Sequence, residues 1–118
     1  MAGEVKNVED GETRKFEHGT VQVVKVGSIT VGRAQFQPGW KWSNDVKPIV
    51  KTDSCMVHHT GYCISGRMHV SPNEGPEFEI GPGDANEILP GHDAWVVGDE
   101  PYIGVDFSEE MAEYAKPS

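Results

Sequence analysis

Short β-branched stretches separated by glycine and proline turns limit most strongly what this chain can fold into. Residues 20–26 and 29–36 read as two strands, and Gly27-Ser28 between them is a two-residue hairpin signal. Comparable turn signals recur about every 8–12 residues along the chain, which is typical of β-sandwiches and barrels. The pattern therefore predicts an all-β domain of roughly nine short strands.

The predicted strands occupy one stretch of the chain, with less regular segments on either side. We expect an N-terminal extension over residues 1–19, a barrel over 20–107 and a tail over 108–118 that begins a short helix capped by Ser108. Within the barrel, Pro48 makes residues 46–50 an edge strand or an irregular loop. At 118 residues the chain has the length of a single domain.

The charge of the chain excludes some classes of partner. There are 10 basic and 19 acidic residues, a formal net charge of −9, and no run of lysine or arginine. A protein that binds nucleic acid or an anionic membrane surface needs a basic face, so neither partner is expected. No stretch is apolar for the roughly 20 residues of a membrane span, and residues 1–19 lack the pattern of a secretory signal. We therefore expect a cytoplasmic protein.

Cys55 and Cys63 are the two cysteines of the chain. On one extended segment they would lie roughly 26 Å apart, far beyond the reach of a disulfide. Reduced thiols are expected, which agrees with a cytoplasmic setting.

The five histidines differ in how well they suit a functional site. Any single histidine is more often a surface or hydrogen-bonded structural residue than a ligand. His92 directly follows the Pro90-Gly91 turn, and a strand end of this kind presents functional groups at the mouth of a barrel. His58 and His59 are adjacent, so they face opposite sides of a strand and only one of them can point inward.

Two carboxylates are also candidates for a site. Glu87 lies in a predicted core strand, where it is either outward-facing and inert or inward-facing and paired. Asp45 is either a loop-capping carboxylate or a ligand.

Three stretches of the chain resemble the motifs of small single-domain cupins. These are Pro38-Gly39-Trp40, then residues 59–66, and then Gly83-Asp84 leading to Pro90-Gly91-His92. The Pro-Gly-His-Asp-Ala-Trp sequence that begins at Pro90 is similar to that of one bacterial cupin subgroup. The resemblance covers roughly residues 20–107. It implies a cupin-type antiparallel β-barrel, a double-stranded β-helix or jelly roll, with a metal ion inside.

The chain departs from the metal-binding motifs of that family. His59 stands where the first motif has its glutamate, and Cys55 and Asp53 stand where its His-x-His pair is expected. An alternative register places the first ligand at Asp45. In the second motif His92 stands two residues before the usual histidine position, with the same parity, so it can still face inward.

The resemblance thus implies a rearranged site with mixed imidazole and carboxylate ligands. His59, His92 and Glu87 are the first candidate ligands, Asp45 comes next, and Cys55 and His58 follow. The expected cofactor is one divalent transition metal ion, which is zinc, iron, manganese, nickel or copper. Glu87 or His58 would move protons. The expected lining of the substrate pocket consists of Trp40, Trp42, Tyr62, Trp95 and Cys55.

Three functional hypotheses remain open from the sequence. The first is a metalloenzyme that acts on a small organic molecule, and the second is a module that binds a metal or metabolite without turnover. The third is a metal-free structural barrel, which the missing His-x-His pair keeps in consideration. The resemblance also implies a homodimer. If an unpaired edge strand mediates that contact, residues 20–26 are the first candidate.

Overall fold

A computed structural model describes residues 2–117, which form nine antiparallel strands and very little helix. The strands are β1 (Glu12–Phe16), β2 (Gly19–Val26), β3 (Ile29–Phe36), β4 (His59–Ser65), β5 (Met68–Pro72), β6 (Phe78–Ile80), β7 (Ala85–Ile88), β8 (His92–Val96) and β9 (Tyr102–Asp106). Two four-residue helices, α1 (Trp42–Asp45) and α2 (Lys47–Val50), lie between β3 and β4, and 3₁₀ turns occupy Val8–Asp10 and Glu109–Glu113. The prediction of an all-β domain is confirmed.

The strands form two sheets. The larger sheet has the order β1-β2-β3-β9-β4-β7, and the smaller has the order β6-β5-β8. The predicted hairpin is present between β2 and β3, and Gly27 adopts a φ of 58° at its turn. β2 pairs with β3 along its whole length, but β1 pairs only with residues 19–23 of it. Most of residues 20–26 is therefore already paired on both sides, and the homodimer stays a prediction.

Alternating side chains of both sheets build one hydrophobic core. On β3, Thr30, Gly32, Ala34 and Phe36 are buried, and on β8 the same alternation buries His92, Ala94 and Val96. Since successive side chains of a strand face opposite sides, this parity directs His92 into the interior. The core also contains Val21, Trp40, Cys63, Val70, Ile80 and Tyr102.

Two segments of the chain differ from the sequence prediction. Residues 46–50 were expected to be an edge strand or a loop, but α2 spans Lys47–Val50 with Pro48 in its first turn. Proline is tolerated there because the first-turn N–H groups have no partner inside the helix. Within the expected N-terminal extension, residues 12–16 form β1 and pair with β2 in regular register. Every helix of residues 2–117 is too short to cross a bilayer.

Residues 108–117, here called the C-terminal segment, cover one end of the space between the sheets. Its 3₁₀ turn begins at Ser108, whose side chain accepts a hydrogen bond from the Glu110 N–H, as the sequence predicts. Met111 is buried against Gly32, where a side chain on that glycine would crowd it. Arg14, on β1, donates hydrogen bonds to the carbonyl oxygens of Met111, Ala112 and Tyr114 at 3.2, 2.6 and 3.0 Å.

Gly66 provides a test of how closely the β4–β5 turn approaches β9. Its φ is 79°, and an added Cβ would overlap the carbonyl oxygen of Pro101. We expect Gly66→Ala to lower the free energy of unfolding in urea by about 2–4 kcal/mol, because backbone strain and a steric clash add. Gly98→Ala is the matched control, since Gly98 has a φ of 90° and open space around it. Equal losses in the two variants would contradict the clash.

Candidate metal centre

Three side chains that are distant along the chain converge inside the molecule. Cys55, His59 and His92 each offer one ligand atom, and these atoms lie within 4.8 Å of one another. The imidazole centroids of His59 and His92 are 5.2 Å apart. Cys55 and His92 are each 3% exposed. The structure thus joins the two histidines that the sequence singles out and adds a thiol to them.

A backbone bridge places Cys55 beside His92. The Cys55 N–H donates to the carbonyl oxygen of His92 at 2.8 Å, and the Cys55 carbonyl oxygen accepts from the N–H groups of Gly91 and His92 at 2.7 and 3.3 Å. The φ of Gly91 is 92°, a conformation that favours glycine, so the Pro90-Gly91 turn is part of this junction. The thiol is therefore fixed by backbone pairing rather than by side-chain packing alone.

A carboxylate at the end of β9 orients His59. The Nδ1 atom of His59 lies 2.6 Å from Oδ2 of Asp106, and its Nε2 atom lies 3.7 Å from Sγ of Cys55. The first contact holds the proton on Nδ1 and leaves Nε2 to face the thiol. A histidine that ligates a metal commonly donates its other N–H to a carboxylate in this way.

A backbone carbonyl orients His92. Its Nδ1 atom lies 2.8 Å from the carbonyl oxygen of Leu89, which can only accept a hydrogen bond. Nδ1 therefore carries the proton, and Nε2 is left with its lone pair for the interior. In the neutral form, both imidazoles are thus held in the tautomer that a metal ligand needs.

The cluster shifts the acidity of two of its members in opposite directions. Burial by itself raises the pKa of the Cys55 thiol, but hydrogen bonding and positive charge from His59 and His92 outweigh it and lower the pKa to about 6. Burial by itself lowers the pKa of His59, but its contacts with Asp106 and Cys55 raise that pKa to about 9. Without a metal ion, the pair is a thiolate beside an imidazolium at neutral pH.

The donor set fits a divalent transition metal ion. In a tetrahedral site with bonds of about 2.0–2.3 Å, ligand atoms lie roughly 3.3–3.8 Å apart, so these side chains need to close by no more than about 1.5 Å. One thiolate and two imidazoles are soft and borderline ligands that suit zinc, copper or iron better than the hard, oxygen-preferring ions.

A small interior cavity of about 50 Å³ adjoins the three donors. Most of its wall is apolar and comes from both sheets and the C-terminal segment; it includes Ala34, Phe36, Trp40, Trp42, Met68, Ile88, Ala94, Tyr102 and Tyr114. The indole Nε1 of Trp40 is buried and has no hydrogen-bond partner within residues 2–117. An unpaired buried donor costs about 1–3 kcal/mol, so a water molecule or ligand with an acceptor atom would be stabilised beside it.

The structure does not bring the candidate carboxylates to this cluster. Glu87 faces outward and pairs with the exposed imidazole of His58, its Oε2 lying 2.8 Å from Nε2. On β4, the pairing of Thr60 with Glu87 places both on the outer side. Asp45 is buried elsewhere, where its Oδ2 accepts from the Lys41 N–H at 3.0 Å and contacts His18 at 3.2 Å.

The aromatic candidates divide between the cavity and the surface. Trp40, Trp42 and Cys55 line the interior cavity. Tyr62 is 47% exposed on the outer side of β4. Trp95 stacks on His69 outside the smaller sheet, with ring centroids 4.7 Å apart. The alternation of strand side chains explains both surface positions, since the residues next to them in sequence point inward.

Two residues of the site were missed by the sequence analysis. Asp106 and Tyr114 lie far along the chain from the histidines, and neither belongs to a motif. The parity of β9 was the one available signal for Asp106, because the buried residues Tyr102 and Gly104 share its side of the strand.

Solved structures with a similar fold include cupins. An oxalate decarboxylase of Lactobacillus farciminis in a formate complex matches with a TM-score of 0.61 and 20% identity over 93% of this chain. An oxalate decarboxylase of Bacillus subtilis studied for its Mn(II) centres matches with a TM-score of 0.58 and 23% identity over 86%. A cupin-superfamily sugar phosphate isomerase of Silicibacter pomeroyi matches with a TM-score of 0.59 and 16% identity over 87%, and 73% of its own chain is covered.

These similarities establish the fold and not the activity. The chain spans 32% and 28% of the two oxalate decarboxylases. No protein-family model matches the sequence, and no curated protein matches it. The prediction of a cupin-type antiparallel fold is confirmed.

The thiolate of the metal-free protein is directly measurable. We expect the ultraviolet absorbance of the Cys55 thiolate to rise with pH with a midpoint of about 6, and to be present at neutral pH. His59→Gln removes the neighbouring positive charge and shifts the midpoint up toward the ordinary value of 9.0. Cys55→Ser abolishes the signal, and Cys63→Ser is the control that keeps it. A midpoint near 9 in the unmodified protein would contradict the described geometry.

Proposed function

We propose that this chain binds one divalent transition metal ion through Sγ of Cys55, Nε2 of His59 and Nε2 of His92. The convergence of these three donors is the observation that carries the proposal. Each imidazole has its other nitrogen engaged by an acceptor, Asp106 Oδ2 in one case and the Leu89 carbonyl oxygen in the other. Two histidines that meet by chance on a surface rarely each have the second ring nitrogen held by an acceptor in this way.

We further propose that the centre acts on a small organic molecule. Three protein ligands would leave a coordination position open, and the interior cavity adjoins the three donors. When bound, an ion of this kind would polarise a carbonyl group or lower the pKa of a water molecule. The apolar wall limits the access of bulk water, and Trp40, whose buried indole N–H is unpaired within residues 2–117, is part of that wall.

Asp106 would position His59 rather than touch the ligand. Its contact with Nδ1 keeps the proton on that atom and increases the electron density at Nε2. Metal binding also requires Nε2 to be deprotonated. Because the pKa of His59 is raised to about 9 in the metal-free protein, metal affinity should increase as the pH rises toward that value.

The second candidate function is a reaction of the Cys55 thiol without a metal ion, and the geometry of three residues favours it. Cys55, His59 and Asp106 lie in the order nucleophile, base and orienting carboxylate, with contacts of 3.7 and 2.6 Å. The tautomer of His92, whose Nε2 faces the same point, has no role in such an arrangement. The metal centre explains all four residues and is preferred.

Elemental analysis with single substitutions tests the proposal. We expect about one equivalent of zinc, copper or iron in protein purified without added metal, and a loss of at least about tenfold in affinity in Cys55→Ala, His59→Ala and His92→Ala. His58→Ala is the matched control, because this imidazole is adjacent in sequence but pairs with Glu87 outside the sheet. Asp106→Asn should weaken binding by about 10–100-fold.

Two outcomes would overturn the metal assignment. One is metal-free protein that takes up none of the three metals on titration. The other is equal loss of metal in His58→Ala and His59→Ala. Rapid alkylation of Cys55 in protein that binds no metal would instead support the thiol chemistry.

A further inference from the structure

The interior cavity is separated from the surface by a thin wall. On the other side of that wall lies a surface groove, lined by Val46, Val50, Met56 and Val57 on one side and by the C-terminal segment on the other. Three residues line both spaces: Trp42, Cys55 and Tyr114. These three side chains therefore lie between the groove and the cavity.

Two members of the wall are fixed more firmly than the third. Trp42 is 2% exposed within α1, and Cys55 is held by the backbone bridge to His92. Tyr114 follows the 3₁₀ turn in an extended conformation and is held by ring packing. Its ring centroid lies 5.9 Å from that of His59 and 6.3 Å from that of Phe16.

The backbone of Tyr114 is held by hydrogen bonds, whereas its ring is held by packing. Arg14 binds the Tyr114 carbonyl oxygen and those of Met111 and Ala112, so the C-terminal segment stays in place when the ring turns. Rotation about χ1 would move the ring out of the wall without breaking these hydrogen bonds. Such a rotation requires the ring to leave its packed position but does not require the segment to unfold.

We propose that the Tyr114 side chain is the gate between the surface groove and the candidate metal centre, and that it sets the size of ligand admitted. The claim about the metal centre's ligand rests on the proposed function. The route itself is formed by the groove, the wall and Cys55, so it does not depend on whether a metal ion is bound.

The dimensions of the cavity define the ligand class. A water molecule needs about 10–15 Å³ by the same measure, so a cavity of 50 Å³ holds a ligand of roughly three to five non-hydrogen atoms while the gate is closed. The groove carries Glu110, Glu113 and Lys116, and Lys116 is already paired with Glu113 at 3.3 Å. This excess of negative charge disfavours anions, so the ligand is small and is not an anion.

Thiol labelling of the metal-free protein tests the gate, with Cys55 as the reporter. In a Cys63→Ala background, the probes are two uncharged reagents of different size, methyl and benzyl methanethiosulfonate, with rates corrected for their reaction with free cysteine. We expect Tyr114→Ala to raise the benzyl rate at least about tenfold more than the methyl rate, because only the larger reagent is limited by the ring. Tyr114→Phe should retain the size selection.

The ratio of the two rates distinguishes a gate from a general loss of stability. A variant that merely opens the whole fold would raise both rates together and leave their ratio unchanged, which would overturn the proposal. Tyr62→Ala is the matched control, since that tyrosine is exposed on the outer face of β4. An equal change of ratio in Tyr62→Ala would also overturn it.

A pair of charged reagents of similar size tests the ligand class. In Tyr114→Ala, the trimethylammonium-ethyl reagent should react faster than the sulfonatoethyl reagent after the same correction, and the difference should shrink with salt. The reverse order would overturn the exclusion of anionic ligands. Because no reagent requires a metal ion, failure here leaves the metal assignment intact, and failure of metal binding leaves the gate testable.

Discussion

The carboxylate of Asp106 links the two parts of the candidate site. Its Oδ2 atom holds His59 at 2.6 Å, and its Oδ1 atom accepts from the Ser108 N–H at 2.8 Å. The first contact sets the tautomer and direction of a proposed metal ligand, and the second fixes the start of the segment that carries Tyr114. A half-buried carboxylate with both oxygens engaged resists displacement, because losing either partner leaves a charge poorly solvated. The orientation of His59 and the start of the C-terminal segment therefore both depend on the Asp106 side chain.

The candidate donor set of one thiol and two imidazoles differs chemically from a set of histidines and a glutamate alone. A thiolate brings a negative charge and a soft, polarisable atom into a largely apolar cavity, which narrows the metals that bind well. The B. subtilis oxalate decarboxylase with a similar fold was studied for Mn(II) centres. Manganese favours oxygen ligands, so the proposed donor set of one sulfur and two nitrogens would suit other metals better. A shared fold does not fix the chemistry.

The sequence predicted the fold well because turn chemistry and strand alternation are local. It predicted the inward direction of His92 from the parity of one strand, and it selected His59 over His58 through the spacing of a motif. It ranked Glu87 above Cys55 as a ligand, whereas the structure places Cys55 beside the two histidines and Glu87 on the outer face. Whether a strand residue faces inward depends on register, and the register of β4 with β7 and β9 is set by pairing between distant segments. Asp106 owes its position to such pairing, and Tyr114 owes its position to the packing of the C-terminal segment.

Only a short stretch of chain separates Cys55 from His59, whereas His92 joins them through long-range pairing of strands. An unfolded chain therefore already contains a weak two-donor chelate, and folding adds the third donor and the fixed tautomers. A metal ion would bind both states, so it would stabilise the native state by less than its full binding energy. It would also bias the early chain toward the conformations that bring residues 55–59 together, ahead of the slower closure of the sheets.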